Sequence, residues 1–349
     1  MDLGALPVGM IANHTALQML LLHAASAGRG SLLFGESLER IRKALPDFVN
    51  PVDLQHFPDL YLEFPLLGEP FLDVTVLYSE TPESMRIASP LAAGTEQMIA
   101  WLARAKKEYP DICAGFEIDA KHPSQTTAAV GFQPREHTEL AKEFCEITGE
   151  PQYGLLYGKM AARMPAGWKP SYLGLFKGRP GSPLRVGGYL NQAQIVSCVE
   201  DPGVLIRFFA AAGFTAYDNP MIREICSVFS VSPGTVEFQF DLYPDETVGD
   251  IFSVSTSFAV QQPETVRTAF DSREGNGAKY ISLLQKWGIA DDRWKKGLEA
   301  VFAGALPLRD GALTFSLFPQ WFKVRWTGKK LQPAKMYLLA KAGTLPHKG

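Results

Sequence analysis

Charged and aromatic residues recur at period two in several short stretches of this 349-residue chain. Lys335-Met336-Tyr337 and Lys323-Val324-Arg325 each place two polar side chains two residues apart, and Arg185-Val186-Gly187-Gly188-Tyr189 extends the spacing over five. Leu62-Glu63-Phe64 sets one carboxylate between apolar neighbours. On an extended chain, residues i and i+2 share a face, so each stretch presents its polar groups together. Ammonium and guanidinium groups bind anionic oxygens, tyrosine faces attract cations, and a carboxylate holds an N–H or O–H and accepts its proton. The same alternation occurs on solvated strand faces, where it does no chemistry. What separates the two readings is whether these faces meet in one cavity.

The elements that would bring them together form a rhythm. Strand-like pairs fall at 59–65/71–79, 112–120/125–133, 171–177/183–190, 234–243/251–260 and 312–326/333–341, with helical stretches between them. Helices are expected at 15–25, 35–45, 95–108, 134–148, 192–212, 221–228, 263–270, 277–287 and 291–303. Short connections within each pair make the partners antiparallel, since parallel neighbours need a long crossover. In 235–243, Val236, Phe238, Phe240 and Leu242 alternate with Glu237, Gln239, Asp241 and Tyr243; in 251–260, Phe252, Val254 and Phe258 alternate with Ser253, Ser255 and Ser257. If helices cover the outside, the apolar faces meet them and the polar faces line the interior. Ten strands could close into a barrel that removes the sheet edges and is wide enough for a ligand cavity. An open sheet, with helices on one side and water on the other, would show the same alternation.

Composition narrows the classes. Hydrophobic residues make up 46% of the chain and charged residues 20%, as in a soluble globular protein, and the formal net charge is −3, which argues against nucleic acid as a partner. Lys323 and Arg325, flanked by Trp321, Phe322, Val324 and Trp326, could form a membrane or nucleic-acid stripe, which the acidic balance disfavours. The four cysteines, Cys113, Cys145, Cys198 and Cys226, have no metal-ligand spacing and read as reduced thiols of a cytoplasmic protein. The uncharged stretch 3–28 lacks a basic leader and contains Asn13, His14, Gln18 and His23, so an amphipathic helix is expected there rather than a signal or a membrane span. Patterns GxGxxG, HExxH and GxSxG and the P-loop are absent, and Asp291-Asp292 is a helix start rather than part of a DDxxD metal motif. Trp287 and Trp294 are expected to pack helices on the sheet.

In element order the chain resembles the ABBA family of aromatic prenyltransferases, ten-stranded antiparallel barrels ringed by helices and built from αββα units. Lys335-Met336-Tyr337 matches the family's inward basic-x-Tyr pattern, and Arg185–Tyr189 matches an R-x-K-x-Y strand whose middle basic residue has become Gly187. Leu62-Glu63-Phe64 matches the early carboxylate and Arg86 the early arginine, whereas 125–133 and 251–260 lack the pattern. The resemblance implies one α+β domain over 1–349, with Arg86, Lys177, Arg185, Lys323, Arg325 and Lys335 binding a diphosphate. It implies Tyr189, Tyr243 and Tyr337 as the shield of an allyl cation, and Glu63 as the catalytic carboxylate. The substrates would be a dimethylallyl or geranyl diphosphate and an indole, phenol or similar acceptor, free or within a peptide, in secondary metabolism. No cofactor would be required and Mg²⁺ would be optional, with Asp119 as the place for a magnesium contact. The rival reading is a non-catalytic barrel that binds a hydrophobic ligand.

Overall fold

The computed structural model describes residues 13–44, 59–78, 95–118, 129–133, 138–165, 167–176, 181–258, 263–271 and 275–346. All five expected strand pairs are present. The strands are β1 (Asp59–Pro65), β2 (Asp73–Tyr78), β3 (Cys113–Ile118), β4 (Ala129–Gln133), β5 (Tyr172–Phe176), β6 (Leu184–Leu190), β7 (Val236–Leu242), β8 (Val248–Ser257), β9 (Phe302–Leu308), β10 (Gly311–Thr327), β11 (Lys330–Leu331) and β12 (Lys335–Pro346). The helices are α1 (Asn13–Ala25), α2 (Arg29–Leu33), α3 (Ser37–Ala44), α4 (Thr95–Glu108), α5 (Thr138–Ile147), α6 (Pro151–Arg163), α7 (Gln192–Glu200), α8 (Gly203–Ala212), α9 (Asn219–Val231), α10 (Pro263–Asp271), α11 (Asn276–Lys286) and α12 (Arg293–Glu299).

All twelve strands join one curled antiparallel sheet, in the order β11-β10-β12-β1-β2-β3-β4-β5-β6-β7-β8. The seventeen-residue β10 does double duty. It pairs with β12 along one edge, and along the other with β9 over Gly311–Leu317 and with β8 over Trp321–Thr327. The expected count of ten strands is therefore corrected to twelve. β11 extends the β10–β12 hairpin beyond a break at Gln332–Ala334, and β9 occupies residues expected to end a helix at 303. That helix stops at Glu299 because the first half of β10 lies beyond the reach of β8 and is satisfied by Phe302–Leu308 instead.

Two further departures have local causes. The helix expected over 192–212 is two, α7 and α8, because Pro202 forces Asp201 out of the helical region (φ −130°, ψ 93°) and the Asp201 carboxylate then accepts from Gly203 N at 2.9 Å. The unanticipated α6 starts on Pro151 just after Gly149 (φ 78°) ends α5. The two helices approach so closely at Gly154 that an added Cβ would stand 2.7 Å from Lys142 Cα. α1 forms where a helix was expected, but it is apolar on more than one side, with Leu20, Leu21 and Ala24 buried and Leu22 exposed.

The outer face of the sheet carries the core. Phe238 and Phe240 of β7 and Phe252 of β8 meet Phe208, Phe209 and Phe214, with ring centroids 4.9 Å apart for Phe208–Phe238 and Phe209–Phe252. Phe322, Val324 and Trp326 of β10 are also fully buried outward, and Trp326 Nε1 donates to Glu224 Oε2 of α9 at 2.8 Å. Each such side chain stabilises the fold by about 1.5–3 kcal/mol. Trp287 and Trp294 pack against the same core as expected, and Asp291 Oδ1 accepts from Arg293 N at the start of α12. Strand pleating then leaves the alternate residues, polar in sequence, on the inner face.

Candidate active site

Register sorts the inner-face residues into bands running across the sheet. Glu63 of β1 stands opposite Tyr337 of β12, which stands opposite Trp321 of β10, then Ser257 of β8. The next band runs Lys335, Lys323, Ser255, Glu237 and Tyr189 across β12, β10, β8, β7 and β6. A third runs Arg325, Ser253, Gln239, Gly187 and Tyr172, and a fourth joins Asp241, Arg185 and Gly174. Together these bands wall a chamber of about 780 Å³. Lys323, Arg325, Lys335 and Arg185 all line it, with Glu63, Tyr189 and Tyr337.

The charges are organised into contacts inside the protein. Lys335 Nζ bonds Glu63 Oε1, lies 3.9 Å from Asp73 Oδ2 and sits 5.1 Å above the Phe71 ring. Arg185 clasps Asp241 through Nε (2.9 Å) and Nη2 (3.2 Å), with Phe176 at 4.5 Å from the guanidinium carbon. Lys323 differs, donating to a neutral acceptor, Gln239 Oε1, at 2.7 Å. Burial alone would raise the Glu63 carboxyl, but Lys335, Lys323 and a hydrogen bond donated by Tyr337 outweigh it and hold Glu63 down at about 2. Burial and the neighbouring Arg185 push Lys323 down to about 8 against the pull of Glu63 and Glu237. Burial, with Glu63 beside it, raises the Tyr337 phenol, which stays a neutral donor.

The remaining expected residues fall elsewhere. Tyr243 is not among the lining residues: it lies just past the end of β7, in the turn to β8, where its N–H donates to Thr247 O and its ring packs over Gly181 and Gly249. Arg86, Lys177 and Asp119 lie outside the described residues. Among the described residues no group of three or more metal-ligating side chains comes together. Sequence reasoning gave no site role to Tyr61, Tyr172, Trp321, Glu237, Gln239 or the serines of β8, although it put Glu237, Gln239 and those serines on polar faces; all of them line the chamber. Their signal was parity. Trp321 shares a face with Lys323 and Arg325, while Phe322, Val324 and Trp326 face the core, so the supposed aromatic–basic surface stripe is two opposite faces of one strand. The absent basic residue at 187 has a steric cause, since a Cβ there would stand 2.7 Å from Phe238 O and 3.3 Å from Tyr172 Cδ1.

Solved structures share this architecture. The 5-dimethylallyltryptophan synthase of Streptomyces coelicolor matches with a TM-score of 0.54 at 10% identity, over 95% of this chain and 97% of that one. Its complex with DMASPP and Trp matches at 0.53 and 12% identity, over 95% of each chain. The prenyltransferase PriB, in a ternary complex with L-tryptophan and dimethylallyl thiolodiphosphate, matches at 0.50 and 12%, over 97% of this chain and 99% of that one. The fold is that of the ABBA-type aromatic prenyltransferases. No protein-family model matches the sequence, and a search of curated proteins finds no match. At such identities the likeness is one of prenyltransferase-barrel architecture: a curled antiparallel sheet with helices outside and a polar inner face.

Proposed function

We propose that this protein is an aromatic prenyltransferase that moves a dimethylallyl or geranyl group from its diphosphate to an indole, phenol or similar side chain, free or in a peptide. The observation that carries the reading is the convergence of Lys323, Arg325, Lys335 and Arg185 on one chamber wall beside Glu63 and an aromatic set, within this fold. In this reading the allylic C–O bond breaks and its electron pair leaves on the diphosphate, whose charge the four cations stabilise. Tyr189, Trp321 and Tyr337 border the allyl cation; the first two rings stack at 6.3 Å, and their faces favour positive charge over water. The acceptor then forms its bond to the allyl carbon. Glu63, ionised because Lys335 holds it so, orients the acceptor N–H or O–H and takes the proton released. A carboxylate this weakly basic suffices, because a protonated aromatic ring is a strong acid.

The diphosphate is met by side chains, so Mg²⁺ is optional and no cofactor is required. We assign the activity to one cytoplasmic domain over 1–349; among the described residues no helix is long and apolar enough to cross a membrane. The test is incubation with dimethylallyl and geranyl diphosphates and a panel of tryptophan, tyrosine and peptide acceptors, with and without EDTA. A mass gain of one isoprenoid unit, undiminished by EDTA, is expected. If no pair turns over while an uncharged hydrophobic ligand binds, the non-catalytic reading replaces this one.

A further inference from the structure

Lys323, whose ammonium donates to the neutral Gln239, shares its register band with a carboxyl. Ser255 separates Lys323 from Glu237 along that band, and Gln239 joins them: its Oε1 accepts from Lys323 at 2.7 Å, and its amide nitrogen donates to Glu237. Glu237 also accepts from Ser255 and stands opposite Tyr189 of β6. An anion seated on the Lys323 ammonium thus lies one side chain away from a second negative group inside a buried wall. Two anions sharing such a site do not both stay ionised, because repulsion in a poorly solvated place favours protonation of the weaker acid.

Resting on the diphosphate reading above, we propose that Glu237 meets the diphosphate as a carboxylic acid: it takes up one proton from solvent when the anion enters and hydrogen-bonds a diphosphate oxygen as a donor. The groups facing it agree. Tyr189, Gln239 and Ser255 are neutral, and the charges it feels are Lys323 and, further off, Arg185, both of which the diphosphate would draw upon. Burial already raises this carboxyl in the empty chamber, against the pull of Lys323. Glu237 thereby sets a proton requirement on substrate binding that the Glu63–Lys335 and Arg185–Asp241 pairs do not.

Titration calorimetry with inorganic diphosphate at neutral pH, in two buffers of different ionisation enthalpy, tests this. Wild type is expected to take up about one proton more per diphosphate than Glu237→Gln, whose neutral amide donor needs none. Across the pH range in which Glu237 is ionised in the free protein, wild-type affinity should fall about tenfold per unit relative to that variant. Because Glu237 also holds up the Lys323 ammonium, the comparison is made with Lys323→Arg in both proteins, whose guanidinium stays charged throughout. Infrared difference spectra of the wild type alone, with and without diphosphate, should show a carboxylic acid carbonyl band appearing, which guards against a variant that folds poorly. Equal proton uptake in both proteins, or no such band, overturns the role of Glu237 and leaves the diphosphate reading standing. No binding of diphosphate to the wild type overturns the reading itself.

Discussion

Removing the Arg185 guanidinium would expose how much of the chamber wall rests on compensated charge. Arg185 and Asp241 face each other across β6 and β7, joined by two hydrogen bonds, with side-chain exposures of 11% and 4%. In Arg185→Met the carboxylate stays buried without its counter-charge, which costs about 3–5 kcal/mol. At about 2 °C per kcal/mol for a chain of this size, Tm should fall by about 6–10 °C. Asp241→Leu strands the opposite charge and should cost a similar amount. The double variant removes both charges and should recover most of the loss, because a buried pair contributes little against an apolar replacement. Calorimetry and urea unfolding of the four proteins close the cycle. Single variants each costing less than about 1 kcal/mol, or a double variant whose loss equals their sum, would refute the account of Arg185 and Asp241 as one compensated unit.

Lys323, lowered to about 8, should lose its charge as pH rises through that value, steepening the loss of inorganic diphosphate binding in titrations toward alkaline pH; Lys323→Arg should remove that added steepness and leave the fall that depends on Glu237. Glu63→Gln should slow turnover on the order of 10²-fold in a single-turnover assay without weakening diphosphate binding, since it frees Lys335. Glu63 is held at about 2 in the folded protein against an ordinary value of 4.5, so its stabilising share is full above about pH 4.5 and lost as pH falls toward about 2; the stability gap between wild type and Glu63→Gln should narrow over that window in urea titrations. Gly187→Ala should destabilise by about 1–3 kcal/mol in urea unfolding, because its Cβ would meet the Phe238 carbonyl oxygen; an unchanged midpoint would remove the steric explanation for the missing basic residue.

Period-two alternation was legible and carried most of the site, because facing in or out depends only on parity. It put Lys335 with Tyr337, Lys323 with Arg325, and Arg185 with Tyr189 on one face of their strands, and the structure brings those faces, with Glu63, around one chamber. It failed where the strand ends: Tyr243 lies past Leu242, in the turn before β8, where alternation no longer governs direction. Which anion each cation holds was not legible. The pairings Glu63–Lys335 and Arg185–Asp241 depend on register between strands far apart in sequence, fixed by helices packing on the outer face. Glu237 was visible as a polar-face residue, but its nearness to Lys323 is a property of β8 lying between them. α6 and β9 were not legible, since no element was expected over 151–163 and the start of β9 read as a helix end; close helix contact and the excess length of β10 decide these elements.

The long strand β10 has a consequence for how the molecule is made. β1 finds a neighbour early in β2, but its other partner is β12, and β8 likewise waits for the second half of β10. A ribosome releasing this chain therefore holds a nascent sheet with two bare borders until residues 311–346 appear. Contacts so distant in sequence form slowly, and unpaired borders invite partners from other chains. Expression should thus depend on protection of that interval, and chains cut short before Gly311 should aggregate rather than persist as smaller folded pieces.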